Sequence, residues 1–313
     1  MSNPPNPLDP ALFRPEAISL KVRAFNAAFQ AMAAAPLPPG VSLPNPFAPK
    51  PYAAKAEVRR VKGAGHEVEV RIVPPSSGNP RGAYLHMHGG GLIMGTADQD
   101  DPMLQRIADA TGLASVTVEY RLAPAHPYPA AWDDCEAAAA WLAKAVKSEF
   151  GGDVLAIGGE SAGATLAVPT LVRMRDRHGF TGFAAANLSY GNYDTSGSPS
   201  QHWNGMNKYL IGEEDIARCS DAYAPNVAQR RDPDLSAVYA NLKDLPPALF
   251  SVGTLDPFLD DSLFLFARWI AAGNEAELAI YPGAPHAFTI LPHPHAAPAN
   301  ARIDAFLQAR TGR

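Results

Sequence analysis

A serine held between glycines where a strand turns sharply into a helix is placed to act as a nucleophile. One such serine stands in Gly159-Glu160-Ser161-Ala162-Gly163, directly after the apolar run Val154-Leu155-Ala156-Ile157 and directly before Ala164-Thr165-Leu166-Ala167. A tight bend projects the hydroxyl of Ser161 out of the fold, and the small flanking residues permit the bend. The helix that follows begins with free backbone N–H groups and the positive end of its dipole, close to any oxyanion formed at the serine. A lone Gly-x-Ser-x-Gly arises by chance in chains rich in Gly and Ala. Its weight here comes from partners.

The first partner is His88-Gly89-Gly90-Gly91, which follows the short apolar stretch Ala83-Tyr84-Leu85-His86-Met87. Three glycines after a strand let backbone N–H groups approach a ligand closely, and the pattern is of the His-Gly-Gly-Gly oxyanion-loop type. Gly89, Gly91 and Gly95 also approximate a dinucleotide fingerprint, but the spacing is off by one and Leu92 to Asp98 does not read as a helix. Two more partners lie downstream. Ala248 to Gly253 reads as a buried strand leading to Thr254-Leu255-Asp256-Pro257, and Glu277 to Tyr281 as another leading to Ala284-Pro285-His286. The order Ser161, Asp256, His286 is the chain order of the triad in α/β-hydrolases, and each residue follows the C-terminal end of an expected strand.

At these residues the chain resembles the hormone-sensitive-lipase-like carboxylesterases, the bacterial family IV esterases of the α/β-hydrolase fold. The resemblance runs from about residue 80 onward and takes in Tyr120-Arg121-Leu122-Ala123-Pro124-Ala125-His126-Pro127-Tyr128-Pro129-Ala130, Leu235 to Tyr239, Leu245 to Ala248, and Asp256-Pro257-Phe258-Leu259-Asp260. Glu160 stands where Asp is commoner, Ala164 where Gly is common, and Leu92 where an aromatic residue usually follows the glycines. The resemblance implies an α/β class fold with a mostly parallel central sheet flanked by helices and a helical cap. It also implies catalytic Ser161, Asp256 and His286, an oxyanion hole from the N–H groups of Gly89, Gly90 and Ala162, and a loop braced by His88 with Gly91.

The expected reaction is hydrolysis of short- to medium-chain acyl esters through an acyl-enzyme. His286 takes the serine proton, and Asp256 fixes the tautomer of His286. Two other readings share these residues: an amide or formamide hydrolase using the same triad, and a non-catalytic binding module on the same fold. Asp260 and Asp261 compete with Asp256 as the acid, but Asp256 directly follows the strand, whereas Asp260 falls in the first turn of the next helix. His86 and His88 form a His-x-His pair, yet the sequence places no carboxylate or third histidine beside it, so neither metal nor cofactor is expected. Glu160 reads as a brace for neighbouring backbone. His293 and His295, in a Pro-rich segment, read as solvated.

Around these residues the chain divides into an N-terminal cap helix and Pro-rich connector (1–52), a core (53–193), a cap insertion (194–235) and the rest of the core (236–313). The apolar stripe Ile18, Val22, Phe25, Phe29, Met32 after Pro15 predicts the first helix, and Glu57–Val61 with His66–Val73 predict a hairpin. Strands alternating with helical stretches from residue 83 argue for a parallel sheet. The insertion carries Trp203, Met206 and Tyr209 at intervals of three, which would share one helix face and, with Leu92 and Glu160, line the substrate pocket.

Composition agrees. The 313 residues are 47% hydrophobic, enough for a covered sheet in one domain, and carry 26 basic against 31 acidic residues, net −5. No basic run suggests nucleic acid or an anionic membrane, no apolar stretch approaches spanning length, and two cysteines, Cys135 and Cys219, make no disulfide framework. The expectation is a cytoplasmic protein acting on a small-molecule ester, with neither nucleic acid nor membrane as partner and a homodimer as a candidate assembly.

Overall fold

The computed structural model describes residues 8–34, 55–63, 65–202 and 209–312. The Pro-rich connector, Trp203 and Met206 lie outside these.

Eight strands form one sheet: β1 (Glu57–Lys62), β2 (Glu67–Val73), β3 (Gly82–Met87), β4 (Ala114–Glu119), β5 (Val154–Glu160), β6 (Phe183–Ser189), β7 (Ala248–Gly253) and β8 (Ala276–Tyr281). Their spatial order is β1-β2-β4-β3-β5-β6-β7-β8, with β1/β2 and β2/β4 antiparallel and the other pairs parallel. Seven α-helices accompany them among the described residues: α1 (Leu20–Ala34), α2 (Asp101–Thr111), α3 (Ala130–Glu149), α4 (Ala162–His178), α5 (Glu213–Tyr223), α6 (Leu259–Ala271) and α7 (Ala296–Thr311).

Chemistry along each strand explains its place. Every residue of β3 and β7 is buried, as expected for parallel strands covered on both faces. In β2, by contrast, Val68, Val70 and Ile72 turn inward while Glu67 faces solvent and Glu69 and Arg71 are half-buried, the alternation of a strand near the sheet edge. The core runs through Leu85, Met87, Val116, Val118, Leu155, Ile157, Leu188 and Phe250, closed by Trp132 and Trp269. Gly112 and Gly179, at φ of 70° and 62°, end α2 and α4 in left-handed caps.

Helix α1 begins later than the apolar stripe suggested. Pro15–Ala17 form a separate 3₁₀ turn, and Ser19 Oγ accepts from Val22 N at 3.3 Å at the start of the α-helix. Its buried side presses on the loop after β8: Asn26 Nδ2 donates to the Gly283 carbonyl at 2.8 Å, and Phe25 meets His293 edge-on at 4.9 Å. His293 is therefore buried between Phe25 and Phe288. That corrects its reading as solvated: the Pro-rich segment looks exposed until a helix from the other end of the chain covers it.

Candidate active site

Strand β5 carries extended backbone up to Glu160, and the chain then reverses into α4 at Ser161, which sits at φ 55° and ψ −120°. A non-glycine residue in this region costs of order 1–3 kcal/mol, and the surroundings must hold it there. Ser161 N donates to the Ser189 carbonyl at 2.9 Å, and Thr165 N to the Ser161 carbonyl at 3.0 Å. Glycine is obligatory beside it. A Cβ on Gly163 would lie 1.8 Å from the Met87 carbonyl oxygen, and one on Gly159 2.5 Å from the same atom.

The loops after β7 and β8 bring two distant residues to this turn. His286 Nε2 lies 2.8 Å from Ser161 Oγ, and His286 Nδ1 lies 3.0 and 3.1 Å from the two carboxylate oxygens of Asp256. Asp256 is fully buried and also accepts from Phe258 N at 2.9 Å. The imidazole is fixed by edge-on contacts with Tyr190 and Phe258. The two loops are stitched together by Gly283 N to Thr254 Oγ1 (2.8 Å) and Leu255 N to the Ala284 carbonyl (3.1 Å).

The competing acids do other work. Asp260, in the first turn of α6, accepts from Ser200 N at 2.9 Å. Asp261 is buried and accepts from Tyr193 N, Asp194 N and Gln201 Nε2, holding the chain where it leaves the sheet. Burial raises its pKa to about 6 against these hydrogen bonds.

On the other side of Ser161 lies the glycine loop. Gly90 and Gly91 have φ of 127° and 63°, and the Gly90 carbonyl accepts from Ile93 N and Met94 N, so turns rather than a helix follow the glycines. Within the described residues no hydrogen bond takes up the N–H groups of Gly89, Gly90 or Ala162. His88 Nδ1 donates to the Gly89 carbonyl at 2.8 Å while its ring stacks on Tyr120 at 4.1 Å, and the Tyr120 hydroxyl donates to the His88 carbonyl at 2.8 Å. Burial lowers the His88 pKa to about 4, which keeps the ring neutral at physiological pH.

A cavity of about 310 Å³ opens over Ser161. Gly90, Gly91 and Leu92 line it, and so do Leu210, Ile211, Ile216 and Cys219 from the stretch between β6 and β7, Cys219 lying against Gly91. Leu92 lines this cavity; Tyr209 does not, its two successors doing so instead. Glu160 is also displaced from its expected place. Consecutive residues on extended backbone point to opposite sides, so Glu160 faces away from the large cavity. It borders a separate space of about 20 Å³, which it shares with Asp100, Gln99, Ser161 and His286.

Glu160 has company there that the sequence did not reveal. His86 Nε2 lies 3.3 Å from Glu160 Oε2 and 3.5 Å from Asp100 Oδ2, all three residues being nearly or wholly buried. The expectation that no carboxylate stands beside the His-x-His pair is thus corrected. Strand β3 ends at Met87, so His88 turns to its own loop while His86 meets two acids from other elements. Burial pushes Glu160 up to about 7, moderated by His86; burial pulls His86 down, but Glu160 and Asp100 outweigh it and its net shift is upward.

Residues 84–290 match the profile of a family described by the alpha/beta hydrolase fold. An acetyl esterase of Salmonella choleraesuis is 31% identical over 231 residues, 71% of this chain and 69% of that protein. Among solved structures, a hyperthermophilic esterase of Pyrobaculum calidifontis is 26% identical with a TM-score of 0.77, covering 93% of this chain and 92% of that one. An esterase/lipase from an uncultured bacterium is 28% identical with a TM-score of 0.78, covering 94% and 100%. No described helix is long and apolar enough to cross a membrane. By these matches and by the motifs they span, the chain belongs to the α/β-hydrolase-fold family, in its hormone-sensitive-lipase-like branch.

Proposed function

We propose that this protein is a serine carboxylesterase that cleaves short- to medium-chain acyl esters. The observation that carries the reading is the continuous hydrogen-bonded line from Ser161 Oγ through His286 to buried Asp256, lying at the floor of an apolar cavity.

Ser161 Oγ attacks the ester carbonyl carbon as His286 Nε2 takes its proton. Negative charge on the carbonyl oxygen meets the unpaired N–H groups of Gly89, Gly90 and Ala162, where each such donor is worth about 2.7–4 kcal/mol. His286 then gives the proton to the departing alkoxide, and the acyl group stays on Ser161. Water attacks this acyl-enzyme by the same route and releases the carboxylic acid. Asp256 stays ionised and stabilises the imidazolium.

Chain length follows from the walls. A cavity of about 310 Å³ is at the small end of the range for ligand sites. Affinity rises by roughly 0.8 kcal/mol per buried methylene until the space is filled, after which added chain must remain in water. A relative 31% identical over 231 residues bears the name acetyl esterase, which supports a short acyl group. The described part of the range 194–235 acts as one half of the cap, and α1, packed on the loop after β8, as the other. The test is kcat/KM for p-nitrophenyl esters from acetate to palmitate, beside one matched anilide. A maximum at or below about eight carbons is expected. Activity still rising at palmitate, or an anilide rate matching the ester, overturns the proposal.

A further inference from the structure

Two buried side chains and one partly buried one converge behind the nucleophile without a role in the proposed reaction. His86 is the second-to-last residue of β3, Asp100 the residue preceding α2, and Glu160 the end of β5. Their donor atoms lie within 4.8 Å of one another. His86 is wholly buried and Glu160 is 94% buried, its relative exposure being 6%.

Their spacing does not suit hydrogen bonding. The separations of 3.3 and 3.5 Å exceed the usual 2.7–2.9 Å of a charged N–H···O bond, and neither His86 Nε2 nor Glu160 Oε1 has a hydrogen-bond partner in the described structure. Those separations do match another geometry. Donors about 2.0–2.1 Å from a tetrahedral ion stand roughly 3.3–3.4 Å apart, as the two separations from His86 do; octahedral donors about 2.3–2.6 Å from a larger ion stand roughly as far apart, so the kind of donor decides between them.

Charge points the same way. A buried and a partly buried carboxylate lie together; Asp100 Oδ2 accepts from Gln99 Nε2 at 3.3 Å, and among the described residues neither carboxylate makes an ion pair with an arginine or lysine. One imidazolium offsets one of them; a dication offsets both. The donors are one imidazole nitrogen and two carboxylate oxygens, a set that suits a borderline divalent ion better than a purely hard one. The adjoining space of about 20 Å³, bordered by Asp100 and Glu160, has room for one further small ligand.

We propose that His86, Asp100 and Glu160 form a tetrahedral Zn²⁺ site with one position left to solvent. The ion is structural: it ties the strand leading into the glycine loop, the start of α2 and the turn bearing Ser161 to one point.

The experiment uses tag-free full-length protein, stripped with chelator and titrated with Zn²⁺ by calorimetry, and with Co²⁺ by visible absorption. One equivalent of Zn²⁺ with a raised Tm, and the intense d–d bands of four-coordinate Co²⁺, are expected. His86→Gln should weaken binding at least a hundredfold, and Asp100→Asn, at the least buried of the three, should do the same if the first variant does not fold. Absence of stoichiometric binding overturns the site, and so does binding that is unchanged in the folded variants. Weak, six-coordinate Co²⁺ bands overturn its geometry.

Discussion

Replacing Asp256 by Asn tests the reasoning at its most specific point. Asparagine matches aspartate in shape, and its amide oxygen keeps the hydrogen bond from Phe258 N, now 2.9 Å. The amide NH₂ then takes the place of the carboxylate oxygen that stood 3.0 Å from His286 Nδ1, while the amide oxygen, 3.1 Å from Nδ1, is engaged by Phe258 N. Two donors cannot share that contact, so Nδ1 becomes the acceptor and the ring proton moves to Nε2. That nitrogen lies 2.8 Å from Ser161 Oγ and can no longer take its proton. Losing a triad acid with geometry intact costs about 10⁴ in kcat, or about 5 kcal/mol at 1.36 kcal/mol per decade. Asp260→Asn keeps an acceptor for Ser200 N and should cost less than tenfold. Steady-state kinetics on p-nitrophenyl butyrate, with circular dichroism to establish folding, gives both numbers. An Asp256→Asn enzyme within tenfold of the parent, or an Asp260→Asn enzyme that loses more, would refute the assignment.

Three further outcomes are expected. Ser161→Ala should abolish covalent labelling by an organophosphate and lower turnover by several orders of magnitude, as mass spectrometry and kinetics would show; label on a different serine contradicts it. Gly163→Ala forces a Cβ to within 1.8 Å of the Met87 carbonyl, so the turn must move and kcat/KM should fall about a hundredfold or more; an unchanged kcat/KM speaks against the tight turn. His88 has its folded pKa lowered to about 4 from an ordinary 6.5, so the unfolded chain binds more protons between those values and stability falls as pH drops through that window. The full difference is about 3 kcal/mol, and His88→Asn should flatten the urea-unfolding curve against pH over that range; parallel curves for the two proteins would remove the basis for it.

What could be read in advance follows from how local each signal is. The turn at Ser161 and the glycine loop at 88–91 are legible because each is a contiguous pattern whose backbone demands are met by the residues themselves. Strands β3, β7 and β8 show as apolar runs. By contrast β6 is Phe183-Ala184-Ala185-Ala186-Asn187-Leu188-Ser189, whose alanines suit a helix as well, and only its place between β5 and β7 makes it a strand. The glycines of β5 look like turn residues, yet pairing on both sides extends that strand through them to Glu160. The meeting of His86, Asp100 and Glu160 depends on three separate elements, and no spacing announces it. Cavity walls were the least legible. Ile216 and Cys219 reach Ser161 only because the path of the chain between β6 and β7 carries α5 over it.

The contact between α1 and the His286 loop has a consequence for how the protein is made. Asn26 and Gly283 are 257 residues apart, so a ribosome adding about 5–20 residues each second synthesises the helix roughly 13–50 s before its acceptor exists. Through that interval the apolar stripe of α1 has no native surface to cover, and the sheet assembles beside it without the histidine. The nascent chain is therefore expected to be catalytically silent until the loop carrying His286 emerges. Docking of α1 and completion of the active site then fall together, as one event.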